Sequence, residues 1–247
     1  MFKKGALIML IAVGALLVSF IFPIVMFFYI RNAHKDNPEY KKDCNSLLLK
    51  GALLVLPAFG FSLVCAIVFK ITHLGDRFPF VELLFSNFVL KALSEELMKY
   101  LCARKVINKN HSTVSILDYM AYTAITAIGF ELLEAFVYMF STNVPQILIR
   151  GITNMHAAFG LTMGYIAARR YKDNKKYPVL IGLACAIAIH GIYDLCLAPT
   201  LIDKWGGISL FIAVICLIIN VVFFIFSRKV RNNPYYTEPI FQEKINE

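Results

Sequence analysis

A run of about 20 mostly apolar residues is long enough, as a helix, to cross the hydrocarbon of a bilayer, and this chain is built of such runs almost from end to end. They fall near residues 5–30, 47–71, 82–105, 117–140, 147–168, 178–198 and 207–227, with a polar tail over 228–247. The predicted fold class is therefore all-α: a polytopic membrane helix bundle of about seven transmembrane helices, forming one integral membrane unit over residues 1–247. Composition agrees, with 59% hydrophobic and 17% charged residues, against about 45–50% and about 25% in soluble domains. Lys3 and Lys4 open the chain as they would a secretion signal. The apolar run continues to Tyr29, past a signal's stretch of about 7–15 residues and without a small-x-small cleavage site, so a retained first span is expected.

The formal charge is +9, which could suggest nucleic acid. The basic residues, however, sit in short segments between apolar runs, the pattern of cytoplasmic membrane loops, and no nucleic-acid partner is expected. Arg31, Lys35, Lys41 and Lys42 follow the first span; Arg104, Lys105 and Lys109 the third; Arg169, Arg170, Lys172, Lys175 and Lys176 the fifth; Arg228, Lys229 and Arg231 the last. The other side has Lys3, Lys4, Arg77, Arg150 and Lys204. This asymmetry predicts a multi-pass protein of the cell membrane with its N-terminus outside and its C-terminus cytoplasmic. The six cysteines are scattered without a C-x-x-C pair, so neither a disulfide framework nor a cysteine metal site is expected.

Several ionisable residues lie inside the spans, where each costs at least about 2.5–3.5 kcal/mol on insertion scales and therefore faces the bundle interior and marks a site. Glu95 and Glu96 stand in the third span, Glu131 and Glu134 in the fourth, His156 in the fifth, and His190 and Asp194 in the sixth. All lie within a few residues of mid-span except Asp194. Lys91, Glu95 and Lys99 are spaced i, i+4, i+8 and share a helix face, with Glu96 about 100° away. That geometry ties Glu95 to the lysines and leaves Glu96 the freer carboxylate and the expected base. Gly182, Ala186, His190 and Asp194 form another such row, as do His156, Gly160 and Gly164, and small residues at that spacing let helices approach closely in lipid. Taken singly, each has a structural explanation: a neutralised ion pair for Glu95, a core histidine for His156, support of the His190 ring for Asp194, and packing for Glu131, Gly160 and Gly164. Their convergence at one depth is what points to a site.

Carboxylates and imidazoles in a dry cavity suit the activation of water for attack on a peptide carbonyl, with imidazole or lysine stabilising the oxyanion. A divalent metal such as zinc is the alternative, with Glu134, His156 and His190 as ligands. No H-E-x-x-H motif accompanies them, which tilts the sequence toward the metal-free version. Midplane ionisable groups also build the translocation sites of proton- or ion-coupled transporters, although no internal repeat is visible, and a non-catalytic bacteriocin-immunity-type membrane protein could carry the same residues as packing.

Four ordered motifs carry a resemblance. "SEELMKY" resembles the E-E-x-x-K motif of PrsW intramembrane proteases, "GFELLE" their F-x-x-x-E, "RGITNMHAAFGLTMGYIAARR" their histidine helix, and "HGIYD" their H-x-x-x-D/N, over a core of residues 83–198. Ala135 departs from the asparagine that follows the glutamate in many members. The resemblance extends to the CAAX protease and bacteriocin-processing superfamily. It implies an intramembrane endopeptidase in which Glu95, Glu96, Lys99, Glu134, His156, His190 and Asp194 form the catalytic set. The lipid bilayer and a single-span membrane protein substrate are the implied partners. Site-one cleavage of an anti-sigma factor in bacterial stress signalling is the implied role. Members are described both as glutamate-type enzymes and as metalloproteases.

Overall fold

The apolar runs fold as helices whose starts and breaks have local causes. The computed structural model describes residues 2–34, 36–140 and 144–241, and among these the side chains other than those of residues 2–9 and Gln146. The Lys3, Lys4 and Lys35 side chains, which entered the charge pattern, lie outside that description. After α1 (Phe2–Arg31), Asn37 accepts from the Tyr40 backbone N–H at 2.9 Å and Pro38 fills the first turn, where a missing N–H is harmless, to start α2 (Pro38–Leu53). Pro57 has no N–H to give Leu53, and the chain steps at Leu54 into α3 (Val55–Ile71). Two short helices, α4 (Leu74–Arg77) and α5 (Pro79–Phe85), lead into a π-helix over Ser86–Leu93 and then α6 (Ser94–Lys109). The widened turn is held by its own side chains: Asn87 donates to the Leu83 carbonyl at 2.8 Å, and Ser94 to the Leu90 carbonyl at 2.6 Å.

A reciprocal capping box between Ser115 and Asp118 starts α7 (Ile116–Met139). Then come α8 (Val144–Thr153), α9 (Met155–Lys172), α10 (Pro178–Cys196), α11 (Ile202–Lys229) and α12 (Pro234–Thr237). Among the described residues there is no strand, only an isolated bridge between Ser115 and Pro239. The fifth expected span, 147–168, is not one helix: Asn154 breaks it in the left-handed conformation at φ 47°, fully buried. From α11, Asn220 donates to the Thr153 and Asn154 carbonyls, both at 3.0 Å, satisfying the polar backbone the break leaves inside.

At the centre stands α7, packed against α9, α2, α1 and α6, with α10 against α9 and the π-helix, and α11 outside α9 and α10. The contacts depend on small residues. A Cβ at Gly160 of α9 would sit 2.7 Å from the Thr123 carbonyl of α7, and one at Gly129 of α7 would collide with the Leu48 carbonyl of α2. Among the described residues five stretches are long and apolar enough to cross a membrane: Leu10–Arg31, Pro38–Ile71, Ile116–Met139, Pro178–Cys196 and Ile202–Lys229. The two expected spans not among them, 82–105 and 147–168, carry the π-helix and the Asn154 break together with much of the buried charge. The basic ends of the helices gather at one end of the bundle. There His34 meets Asp118, Lys109 meets Asp43, and Lys172 donates to the Pro239 carbonyl of the tail.

Candidate active site

Five helices, α6 to α10, deliver the buried polar side chains to one place, displaced from the helix middles toward the less basic end. Glu134 and Asp194 lie within two turns of the ends of α7 and α10. The first turn of α6 supplies Glu95 and Glu96, with Lys99 one turn on. The Lys99 ammonium is fully enclosed, 2.9 Å from Glu96 Oε1, 3.3 Å from Glu95 Oε2 and 2.8 Å from His156 Nδ1, and it lies over the Phe130 ring at 4.0 Å. An ammonium only donates, so His156 Nδ1 accepts there, which leaves the ring proton on Nε2, donated to Glu134 Oε2 at 2.7 Å. His190 approaches Glu96 Oε1 with Nδ1 at 2.9 Å and Asp194 Oδ2 with Nε2 at 3.4 Å, its ring stacked on Phe159. Glu131, fully buried, accepts the backbone N–H of His156 at 3.1 Å, capping the first turn of α9.

The split expected within the acidic pair is reversed. Glu96 is the enclosed carboxylate, its Oε1 shared by Lys99 and His190, whereas the Glu95 side chain keeps 15% of its surface exposed and has Lys99 as its close partner. The i, i+4 row expected from 3.6-residue periodicity holds from Glu95 to Lys99, within α6, but not from Lys91, which lies in the π-helix with its wider turn. Lys91 instead donates to Asn87 at 3.0 Å and reaches toward Asp194 at 4.0 Å.

Arg150 is a site residue that the sequence placed among loop charges. It is buried, with Nη1 2.8 Å from Glu134 Oε2 and Nη2 3.3 Å from Asp194 Oδ1, and it joins α8 to α7 and α10. Its six-residue offset from His156 fits no single helix face. The break at Asn154 folds the two together, bringing Nη1 to 3.4 Å from the His156 ring. The available signals were a lone arginine in an otherwise apolar stretch and, in α11, the lone Asn220 that supports the break.

One ligand atom each from Glu95, Glu96, His156 and His190 lies within 4.8 Å of every other. Two imidazoles and two carboxylates form a donor set that zinc accepts. Glu96 Oε2 is buried without a hydrogen-bond partner, and among the described residues the four carboxylates of Glu95, Glu96, Glu134 and Asp194 face only two buried cations, Lys99 and Arg150. The residues thus fit a divalent cation. Glu134, expected as a ligand, is outside this set, and its Oε2 accepts from Arg150 and His156.

The sequence model of the family described as PrsW family intramembrane metalloprotease matches residues 46–226, most of the chain. The chain belongs to this family. It is similar to proteins named Protease PrsW. That of Clostridioides difficile (strain 630) is 30% identical over 146 residues, covering 55% of this chain and 60% of that protein. That of Shouchella clausii (strain KSM-K16) is 29% identical over 156 residues, covering 62% and 68%, and that of Bacillus subtilis (strain 168) 24% over 187 residues, covering 74% and 80%. No solved structure matches. Family and apolar helices together make this a multi-pass membrane protein.

Proposed function

We propose that this PrsW-family chain is an intramembrane endopeptidase that hydrolyses a peptide bond of a membrane-bound protein. The observation that carries this reading is the enclosed cluster of Glu95, Glu96, His156 and His190 with one buried carboxylate oxygen unpartnered. Glu95 is the general base, because a base must reach both water and substrate and it is the less enclosed of the pair. It takes a proton from water as the water oxygen attacks the scissile carbonyl carbon. Lys99 and His190, held by Glu96 and with their N–H groups already engaged, favour the oxyanion through their field rather than by direct hydrogen bonds, and as the C–N bond breaks the proton passes from Glu95 to the leaving amine. A divalent metal, held by Glu95, Glu96, His156 and His190, would supply a Lewis acid and a more acidic water. Arg150 and Asp194 keep Glu134 and His190 in place.

The substrate we propose is a single-span protein such as an anti-sigma factor, and kinship with the CAAX proteases is part of the same reading; the four ordered motifs support both. The gathering of basic residues at one end of the bundle supports a cytoplasmic C-terminus. Purified wild type, Glu95→Gln and Glu96→Gln, assayed on a single-span reporter with and without chelator, test the proposal. Both variants are expected to lose at least about 10²-fold in rate. Loss on chelation restored by zinc assigns the metal, and chelator-resistant cleavage assigns carboxylate chemistry alone. Wild-type rates in both variants would sink the proposal.

A further inference from the structure

Away from the site, a groove of about 710 Å³ runs between α2–α3 and α6. Its lining is largely apolar and includes Leu53, Pro57 and Leu101, all exposed. Lys50, Arg104 and Lys105 line it as well, and each is exposed. Among the described residues none of the three has a carboxylate within ion-pair distance.

The level of the cations is set by the chain itself. In α2–α3 the residues before Lys50 include Glu39, Lys41, Lys42 and Asp43, whereas from Gly51 no charge occurs until Lys70. In α6, Tyr100–Ala103 is uncharged, and Arg104, Lys105 and Lys109 follow. Both elements therefore pass from apolar to polar at the mouth of this groove, as helices do at the surface of a membrane. A cavity with an exterior apolar wall, crowned by three unpaired cations at that level, has the shape and charge of one amphiphile: acyl chains against Leu53, Pro57 and Leu101, and an anionic phosphate beside Lys50, Arg104 and Lys105.

We infer that this groove is a binding site for an anionic phospholipid of the surrounding membrane. Met98, which also lines it, adjoins Lys99 in sequence, so the bound lipid packs on the helix that carries Glu95, Glu96 and Lys99. Native mass spectrometry of the full-length protein in neutral detergent, with phosphatidylglycerol and phosphatidylcholine in competition, tests the site. Wild type should retain phosphatidylglycerol with a preference on the order of 10²-fold. The variant K50Q/R104Q/K105Q should lose it, while R169Q/K175Q/K176Q, which removes equal charge elsewhere at the same end, should keep it. Thermal unfolding of both variants identifies any that fail to fold, and single substitutions then replace the triple. Absence of preference in wild type, or equal loss in both variants, overturns the inference. Displacement of the lipid by millimolar inorganic phosphate would also overturn it, in favour of a site for free phosphate.

Discussion

The run α2–α3, whose apolar part is mostly α3, and the helix α7 are both long and apolar enough to cross a membrane, yet they are opposites. The most apolar 18-residue window of Pro38–Ile71 has mean hydropathy 2.5 and only 6% of it is buried, whereas that of Ile116–Met139 has mean hydropathy 1.4 and 72% of it is buried. In water the most apolar helix would be innermost. Here lipid is the solvent for α3, and burial goes to the helix whose threonines, glycine and glutamates need protein partners. Thr123 and Thr126 bond back to their own helix carbonyls, Gly129 admits α2, and Glu131 and Glu134 find His156 and Arg150. Hydropathy in this chain therefore reports contact with lipid, and polarity reports the interior.

The comparison is tested most severely at Arg150. Removing a buried charge that serves two carboxylates leaves both uncompensated, so Arg150→Ala should cost about 3–5 kcal/mol in bilayer unfolding measurements, far more than any single change on α3. Arg150→Lys should recover part of this, because an ammonium lacks the fork that spans Glu134 and Asp194. Wild-type stability in Arg150→Ala would mean that the buried charges are not what organises the interior.

Next in size is Gly160→Val. Its Cβ would stand 2.7 Å from the Thr123 carbonyl, and two backbones would have to part, at about 1–3 kcal/mol. A loss of that size, with cleavage falling in proportion to the folded fraction, identifies the residue as packing. Unchanged stability would show that α7 and α9 are not pressed together.

What the sequence disclosed follows the same division. Apolar runs announce themselves, so five spans and the all-helical class were legible, and so were carboxylates and histidines that have no place in lipid. The two stretches that bend around the site were not. The π-helix over Ser86–Leu93 has no periodic signature, and an angular argument carried through it tied Glu95 to Lys91 as well as to Lys99, where the structure gives it Lys99 and sends Lys91 to Asn87. The buried turn at Asn154 is supported from a distant helix by Asn220, so no local pattern shows it, and Arg150, which depends on that turn, resembled a loop residue.

At the polar end, outside the lipid, the contrast between shell and interior should fade. His34 bonds Asp118 at 2.8 Å with half its side chain exposed. That hydrogen bond, first among the influences on it, raises its pKa above the usual value near 6.5, although Arg231 opposes the shift. A raised folded pKa gives stability that is complete below about pH 6.5 and is lost as pH climbs through the folded value. Wild type should weaken as pH rises above about 6.5 through the folded value, by no more than the ~0.2–1 kcal/mol of an exposed pair. His34→Gln should remove that slope, and an unchanged slope would exclude this pair as its source.

The smallest expected effect is the most discriminating. Val64 on α3 is 60% exposed, and in water a larger apolar group there would invite association. With lipid as its neighbour, Val64→Leu exchanges one hydrocarbon contact for another, and both stability and cleavage should stay within about 0.5 kcal/mol of wild type. The paired substitution Ala157→Leu, at a fully enclosed position on α9, adds three carbons where there is no space and should cost about 1–3 kcal/mol. Equal costs at the two positions would mean that α3 is covered by protein in the membrane, either a second copy or a partner, and that its face is an interface rather than a lipid boundary.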